Sequence, residues 1–413
     1  MHIKPKITTS KALAFIFVTI FIDVMGLAII IPVIPKLLEQ LGHALPPEAS
    51  EINGWLTFTY ASMQILFSPV MGNLSDRFGR RPILLTSLIG FSIDYTFMAF
   101  APTVFWLFIG RTIAGITGAT MSTATAYIAD VSTGDKRAAN FGIVGAASGL
   151  GFVIGVAGGA FLGAINIKFP FMVAAAAALI NALYGYFVLP ESLDKEHRRK
   201  FEWKRANPIG SFIQLSKYKA LAGLAIAFTL VYIAQKAVEY QLPFYVYEKF
   251  DWTLISVGIL GIFIGVLLIG IQGGLIRYLI PKWGLKKNII IGLISYGAGL
   301  TLIAFANQGW LLYVYMIPYC FGGISGPALQ GLITSKFAAS EQGELQGGLA
   351  LLSSISLVVG PLIMGYSFKA FTHKGSPVYF PGAPYILGAL LILISVLLVI
   401  RSFKKDVTLQ GVT

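Results

Sequence analysis

The sequence predicts an all-α membrane protein of twelve transmembrane helices, arranged as two six-helix, pseudo-symmetric bundles. Three observations predict it. Hydrophobic residues make up 56% of the 413 and charged residues 12%, where soluble domains carry about 25% charge. The apolar residues come in long continuous runs rather than in alternating segments of about 10, so they fit helices that cross about 30 Å of hydrocarbon and not barrel strands. One polar interval, 190–219, divides the runs into two sets of six.

Taken in order, apolar runs between charged or Pro/Gly breaks predict spans over 12–37, 52–74, 83–101, 104–129, 138–165 and 170–189, then 220–244, 254–276, 288–306, 310–335, 344–368 and 383–401. Lys4, Lys6 and Lys11 before the first run superficially resemble a signal peptide. The run is too long and has no small-residue cleavage site, so it is read as a retained helix. An even number of spans puts both termini on one side. With that side cytoplasmic, 24 of the 31 Lys and Arg lie inside and five outside (Lys36, Lys168, Lys249, Lys369 and Lys374), while Arg111 and Lys236 fall within spans. That bias fixes the orientation. The predicted domains are an N-terminal bundle (1–189), a cytoplasmic linker (190–219) and a C-terminal bundle (220–413).

The halves resemble each other at an offset near 205 residues. Phe78-Gly79-Arg80-Arg81 aligns with Trp283-Gly284-Leu285-Lys286, and Gly142 and Gly155 with Gly347 and Gly360. After a three-residue slip, Gly115-Ile116-Thr117-Gly118 matches Gly323-Ile324-Ser325-Gly326. Two similar sets of six helices signal a transporter built from parallel repeats, with its substrate site near the midplane.

The other function classes lack their chemistry. No Gly-Lys-Ser/Thr loop is present for an ATP-driven pump. The four histidines (2, 43, 197 and 373) lie in loops or termini with no His-Glu-x-x-His, so no enzyme, metal site or cofactor is expected. Cys320 has no partner for an intrachain disulfide. The net charge of +13 lies between spans rather than on one exposed face, which argues against nucleic acid. Neither the pore-lining rings nor the filter loop of a channel is evident.

Ionisable groups inside spans cost about 2.5–3.5 kcal/mol on insertion scales and mark pathways. Asp23 stands near the middle of the first span, and a carboxyl in apolar surroundings holds a proton more readily than in water. It is the first candidate for proton coupling, the alternative being a permanent structural pair with Arg111. Asp94 is equally deep in the third span and is a further candidate for coupling or for the substrate path. Arg111 keeps its charge, so its roles are to tune a nearby acid, to hold an anionic group of the cargo, or to make a structural salt bridge. Lys236 and Glu239, three apart in the seventh span, share one face and form either a self-neutralised pair or, with Gln235, the outer wall of a substrate cavity. Tyr60, Gln64, Thr117 and Gln330 are polar candidates for the same cavity, or helix–helix hydrogen-bond groups. In the fifth span Gly151, Gly155 and Gly159, among other glycines, permit close packing that can rock, a gating role.

The loop after the second span reads Gly72-Asn-Leu-Ser-Asp76-Arg77-Phe-Gly79-Arg80-Arg81-Pro82. Gly72 lets a helix approach, Gly79 permits a tight turn, and Asp76 can face a helix N-terminus. The arginines alone would also serve as topology determinants. The second-half counterpart has Pro281 in place of the acid, so any latch is asymmetric. This loop resembles the signature of the major facilitator superfamily, which implies that the acid faces the eleventh helix and that Asp130 joins the charged cluster as an intracellular latch.

Nearly the whole chain is similar to the tetracycline/proton antiporter group of that superfamily. The first span carries Asp23-Val-Met-Gly26-Leu-Ala-Ile-Ile-Ile-Pro32-Val-Ile-Pro35, the third Asp94-Tyr95, and the fourth Gly110-Arg111-Thr-Ile-Ala-Gly115-Ile-Thr-Gly118-Ala119. Pro327-Ala-Leu-Gln330-Gly331 and Leu345-Gln346-Gly347 continue the resemblance. Two positions depart from the group. Gly155-Val156 stands where drug antiporters have Gly-Pro, and Tyr296 where tetracycline exporters place an acid in the ninth helix. The resemblance implies proton-coupled efflux of a small amphiphilic or drug-like molecule by alternating access, from a monomer in a bacterial inner membrane. The alternative is a carrier of another cargo (a lipid-like amphiphile, a sugar or a siderophore) by symport or uniport.

Overall fold

Helices occupy all twelve predicted spans in the computed structural model, which describes residues 9–42, 44–132, 137–202, 222–335 and 342–410. Residues 203–219 of the predicted linker, and Lys4 and Lys6, lie outside the described residues. The first six spans are α1 (Thr9–Gly42), α2 (Pro46–Phe78), α3 (Arg80–Phe100), the pair α4 (Val104–Thr117) and α5 (Thr120–Val131), α6 (Arg137–Ile165) and α7 (Phe169–Val188). The last six are α8 (Ala222–Phe250), α9 (Leu254–Gly270), α10 (Ile276–Ala304), the pair α11 (Leu311–Gly322) and α12 (Ser325–Thr334), α13 (Gln342–Thr372) and α14 (Ala383–Gln410).

Among the described residues, nine stretches are long and apolar enough to cross a bilayer by composition alone. One of them, Leu254–Ala304, has 51 residues. A straight helix of that length would reach about 75 Å, more than twice the hydrocarbon thickness, so it must fold back. It does so at Gly284, whose φ of 73° breaks the helix. Gly79 makes the matching turn in the first half with φ 109°. Both values lie in the left-handed region that favours glycine.

Two spans expected as continuous are broken. The fourth parts at Gly118 and Ala119. Side chains make good the freed backbone groups: the Ser87 hydroxyl donates to Thr117 O at 2.6 Å, and Gln64 Nε2 donates to Gly118 O at 3.2 Å. The tenth parts at Gly323 and Ile324, where tighter bonds to Cys320 O and Phe321 O replace the α pattern. These are the two stretches that the internal repeat aligns. A π turn, Ile271–Leu275, joins α9 to α10.

The chain divides into two compact units. Unit 1 comprises Met1–Leu37 and Thr59–Asn207; unit 2 comprises Leu38–Phe58 and Pro208–Thr413. Within unit 1, Phe15, Ile16, Ile20, Leu84, Leu88, Tyr127 and Ile128 build an apolar core. Large apolar side chains are exposed as well, Phe105, Ile165 and Phe187 among them, as a lipid-facing surface requires.

The repeat is visible as contacts inside each unit. Gly155 packs on the Met25 carbonyl in unit 1, and its counterpart Gly360 packs on Lys236 and the Ile233 carbonyl in unit 2. Gly90 of α3 packs on Thr117 as Gly292 of α10 packs on Ser325.

Candidate functional site

Glycines on facing helices admit the charged side chains of unit 1. A Cβ on Gly110 would stand 2.7 Å from Asp94 Oδ1, so α3 and α4 approach closely only because that side chain is missing. The Asp94 carboxylate, fully buried, takes Arg111 in a two-pronged pair: Nε donates to Oδ1 at 3.1 Å, and Nη2 bonds Oδ2. Arg111 also lies 3.3 Å from Met98 Sδ and over the Tyr60 ring, 5.5 Å from its centroid. Such a fork satisfies a guanidinium out of water, where an uncompensated charge would cost several kcal/mol.

Asp23, on α1, joins the same electrostatic neighbourhood as Tyr60, Tyr95, Asp94 and Arg111. It is not Arg111's partner, so the expected alternative of a permanent Asp23–Arg111 pair gives way to Asp94–Arg111. Thr120, at the start of α5 beside the helix break, faces Asp23, yet neither the Thr120 hydroxyl nor Asp23 Oδ1 closes a hydrogen bond among the described residues. The Tyr95 hydroxyl, pressed against Gly26, is likewise buried and unsatisfied. One fully matched ion pair therefore lies beside one under-satisfied acid. Tyr60 and Gln64 bond to each other at 3.2 Å. Thr117 donates to its own helix at Ile113 O, 2.9 Å.

Gly151, Gly155 and Gly159 form one stripe of α6 against the backbone of α1. A Cβ at the first would lie 2.7 Å from Phe21 O and at the second 2.5 Å from Met25 O; at the third it would meet Ile29 O. The stripe brackets Asp23. Around Gly142, Gly145, Gly149 and Gly158 no described atom lies within 4 Å of the Cβ position.

The loop cluster closes on itself. Arg80 Nη1 pairs with Asp76 at 2.6 Å and its Nε with Asp130 at 3.2 Å. Glu191, just past α7, accepts from the backbone N–H of Arg80 at 2.7 Å and of Arg81 at 3.3 Å. A side chain on Gly79 would collide with that carboxylate. Arg81 donates to Tyr186 O, and Arg77 lies 4.9 Å over Phe78. Gly72 has no described atom within 4 Å of its Cβ position. The loop's counterpart in unit 2 holds its turn with an amide instead, Asn288 Nδ2 donating to Leu279 O at 3.1 Å and to Gly284 O at 2.7 Å.

In unit 2, Lys236 Nζ lies 2.6 Å from Glu239 Oε2, with Gln235 half-buried alongside. Gln330 bonds Gln346 at 3.1 Å. Sequence reasoning missed two groups. Glu191 sat in what was read as linker, its only signal being an acid directly after a span. The second group joins the end of α2 to α8 and α13: Glu51–Lys369 at 2.5 Å, Ser50 to Gln241 at 2.6 Å and Trp55 to Tyr366 at 3.1 Å. Nothing local in the sequence pairs residues this far apart.

The Major Facilitator Superfamily model matches residues 16–287. The chain belongs to this superfamily. It is 36% identical to the tetracycline resistance protein, class C, of Escherichia coli, over 94% of this chain and 96% of that one. It is 29% identical to multidrug resistance protein 2 of Bacillus subtilis, over 93% and 95%. Among solved structures, the human organic anion transporter MFSD10 (TETRAN) superposes with a TM-score of 0.70 at 21% identity, covering 96% of this chain and all of that one. The family's fold accounts for the two repeats and for the loop cluster after α2.

Proposed function

We propose that this protein is a secondary transporter that exports a small amphiphilic or drug-like molecule in exchange for protons, by alternating access. The relatives' names, tetracycline resistance and multidrug resistance, support the cargo class. Asp23 carries the coupling assignment. It is a span carboxyl with an unpaired oxygen, set beside a satisfied Asp94–Arg111 pair and gripped on both sides by a glycine stripe. A buried, unmatched carboxylate oxygen is costly, and taking up a proton removes that cost. Loading Asp23 and releasing it to water in the other state then biases the equilibrium, only as far as the proton binds the two states differently.

Around this acid, Tyr60, Gln64 and Thr117 serve the cargo path, and Arg111 tunes the acids. Two six-helix bundles joined by the 190–219 linker are the moving bodies. The Arg80 cluster acts as the cytoplasmic latch, and Glu51–Lys369 with Ser50–Gln241 ties the start of α2 to α8 and α13 inside unit 2. The excess of Lys and Arg supports both termini in the cytoplasm of a bacterial inner membrane, with a monomer as the working unit.

The test is Asp23→Asn in proteoliposomes loaded with tetracycline or a panel of amphiphilic drugs. The expected result is loss of accumulation driven by a pH gradient, with substrate exchange at equal pH retained. Unchanged gradient-driven accumulation would remove Asp23 from coupling.

A further inference from the structure

The repeat places a different chemistry in unit 2 where unit 1 keeps its ion pair. Asp94 stands four residues after Gly90, and Tyr296 four after Gly292; Arg111 stands six before Thr117, and Tyr319 six before Ser325. The buried pair equivalent to Asp94–Arg111 is thus Tyr296–Tyr319, with hydroxyls 3.4 Å apart and ring centroids 4.9 Å apart. Gly299 and Gly322 make room for it, since a Cβ on either would stand 2.5 Å from Tyr319 or Tyr296.

These rings share their electrostatic neighbourhood with Glu239 of α8, and Tyr296 also with Tyr232 of the same helix. The Lys236 ammonium sits on Glu239 and 5.5 Å from the Tyr240 ring centroid. A carboxylate on one side and an aromatic face on the other is an arrangement that binds ammonium groups. Here a lysine of the chain already occupies it. The two halves of the pair differ in access: the Lys236 side chain is 10% exposed and that of Glu239 30%. Asp94, by contrast, is sealed. An accessible acid inside a span faces water rather than lipid.

We propose that Glu239 with Tyr296, Tyr319 and Tyr240 is a binding site for aromatic organic cations in which Lys236 is the resident cation, and that such a cargo takes the place of Lys236 on Glu239. The proposal rests on the export reading above and gives the cargo a charge. Lys236, held by its methylenes on Gly360, is a tethered competitor. It keeps Glu239 neutralised when the site is empty and sets a threshold that a weak cation cannot pass.

The experiment measures binding of ethidium, and of the anion fluorescein as control, by fluorescence anisotropy on the purified full chain in detergent. Lys236→Met should tighten ethidium about fivefold by removing the competitor, and Glu239→Gln should weaken it about tenfold, the worth of one charge-assisted contact of ~1.4 kcal/mol. The double variant should bind as weakly as Glu239→Gln alone, and fluorescein should not gain from Lys236→Met. Monodisperse elution of each variant checks its fold. If Lys236→Met weakens ethidium as much as Glu239→Gln does, the pair is structural and the proposal falls. It falls too if the wild type binds no ethidium. Proton-driven tetracycline transport that persists in proteoliposomes alongside that failure would leave the export reading standing; loss of both would remove it as well.

Discussion

The glycine stripe of α6 yields a prediction that separates contact from composition. An alanine methyl at position 155 would stand 2.5 Å from the Met25 carbonyl oxygen and 2.7 Å from Ala28 Cβ, short of ordinary contact at 3.4 Å by about 0.9 and 0.7 Å. Neither neighbour is the free end of a flexible side chain, so α1 and α6 must move apart. Overpacking of this kind costs about 1–3 kcal/mol, offset in part by the gain of up to about 1 kcal/mol that alanine brings to a helix over glycine. Gly155→Ala should therefore destabilise by roughly 1–2 kcal/mol and slow transport, because the displaced α1 carries Asp23. Gly158→Ala, three residues on, meets no described atom within 4 Å and should be neutral or slightly stabilising. Unfolding of the purified protein by sodium dodecyl sulfate in mixed micelles measures stability, and proteoliposome flux measures transport. Equal stability of the two variants would refute the reading that this stripe is held by backbone contact.

Two further outcomes follow from the charged groups. Asp94→Asn strands Arg111 in a buried site and should cost about 3–5 kcal/mol, whereas Asp94→Asn with Arg111→Gln should recover most of that stability, since a pair removed whole is far cheaper than a pair broken; both are read in the same unfolding assay, and a double variant no better than the single one would contradict the pairing. Glu51→Lys should weaken the contact of α2 with α13, and Glu51→Lys with Lys369→Glu should restore it, a difference of no more than about 1 kcal/mol for a partly exposed pair that crosslinking yield between cysteines placed at Ser50 and Gln241 reports; a charge reversal that leaves the yield unchanged would dismiss the ion pair as what holds these helices together.

The spans were legible in the sequence because a bilayer demands about 20 apolar residues at a stretch, and composition alone carries that signal. The loop cluster was legible because Gly79 and its arginines are contiguous. The breaks after Thr117 and at Gly323 were not, although both fall in the aligned Gly-Ile-Thr/Ser-Gly segments. A glycine in an apolar run is equally consistent with helix packing, and what tips the fourth span toward a break is the presence of Ser87 and Gln64 on other helices. The partner of Arg111 was open for the same reason. Asp23 and Asp94 are similarly deep, and only the absent side chain at Gly110, seen against α3, decides between them. Glu191, Ser50 and Glu51 are polar residues at span ends, where sequence alone cannot tell a solvated group from a bonded one.

The amide of Gln64 is spoken for twice over, by the phenol of Tyr60 and by the bare carbonyl at Gly118. Any guest that draws this amide to itself strips the carbonyl of its donor, and a dry, unmatched acceptor carries a penalty of about 1–3 kcal/mol. Occupancy at Gln64 and the bend of the fourth span are therefore one equilibrium. A molecule that arrives there would be registered by the chain's own backbone, with no separate relay.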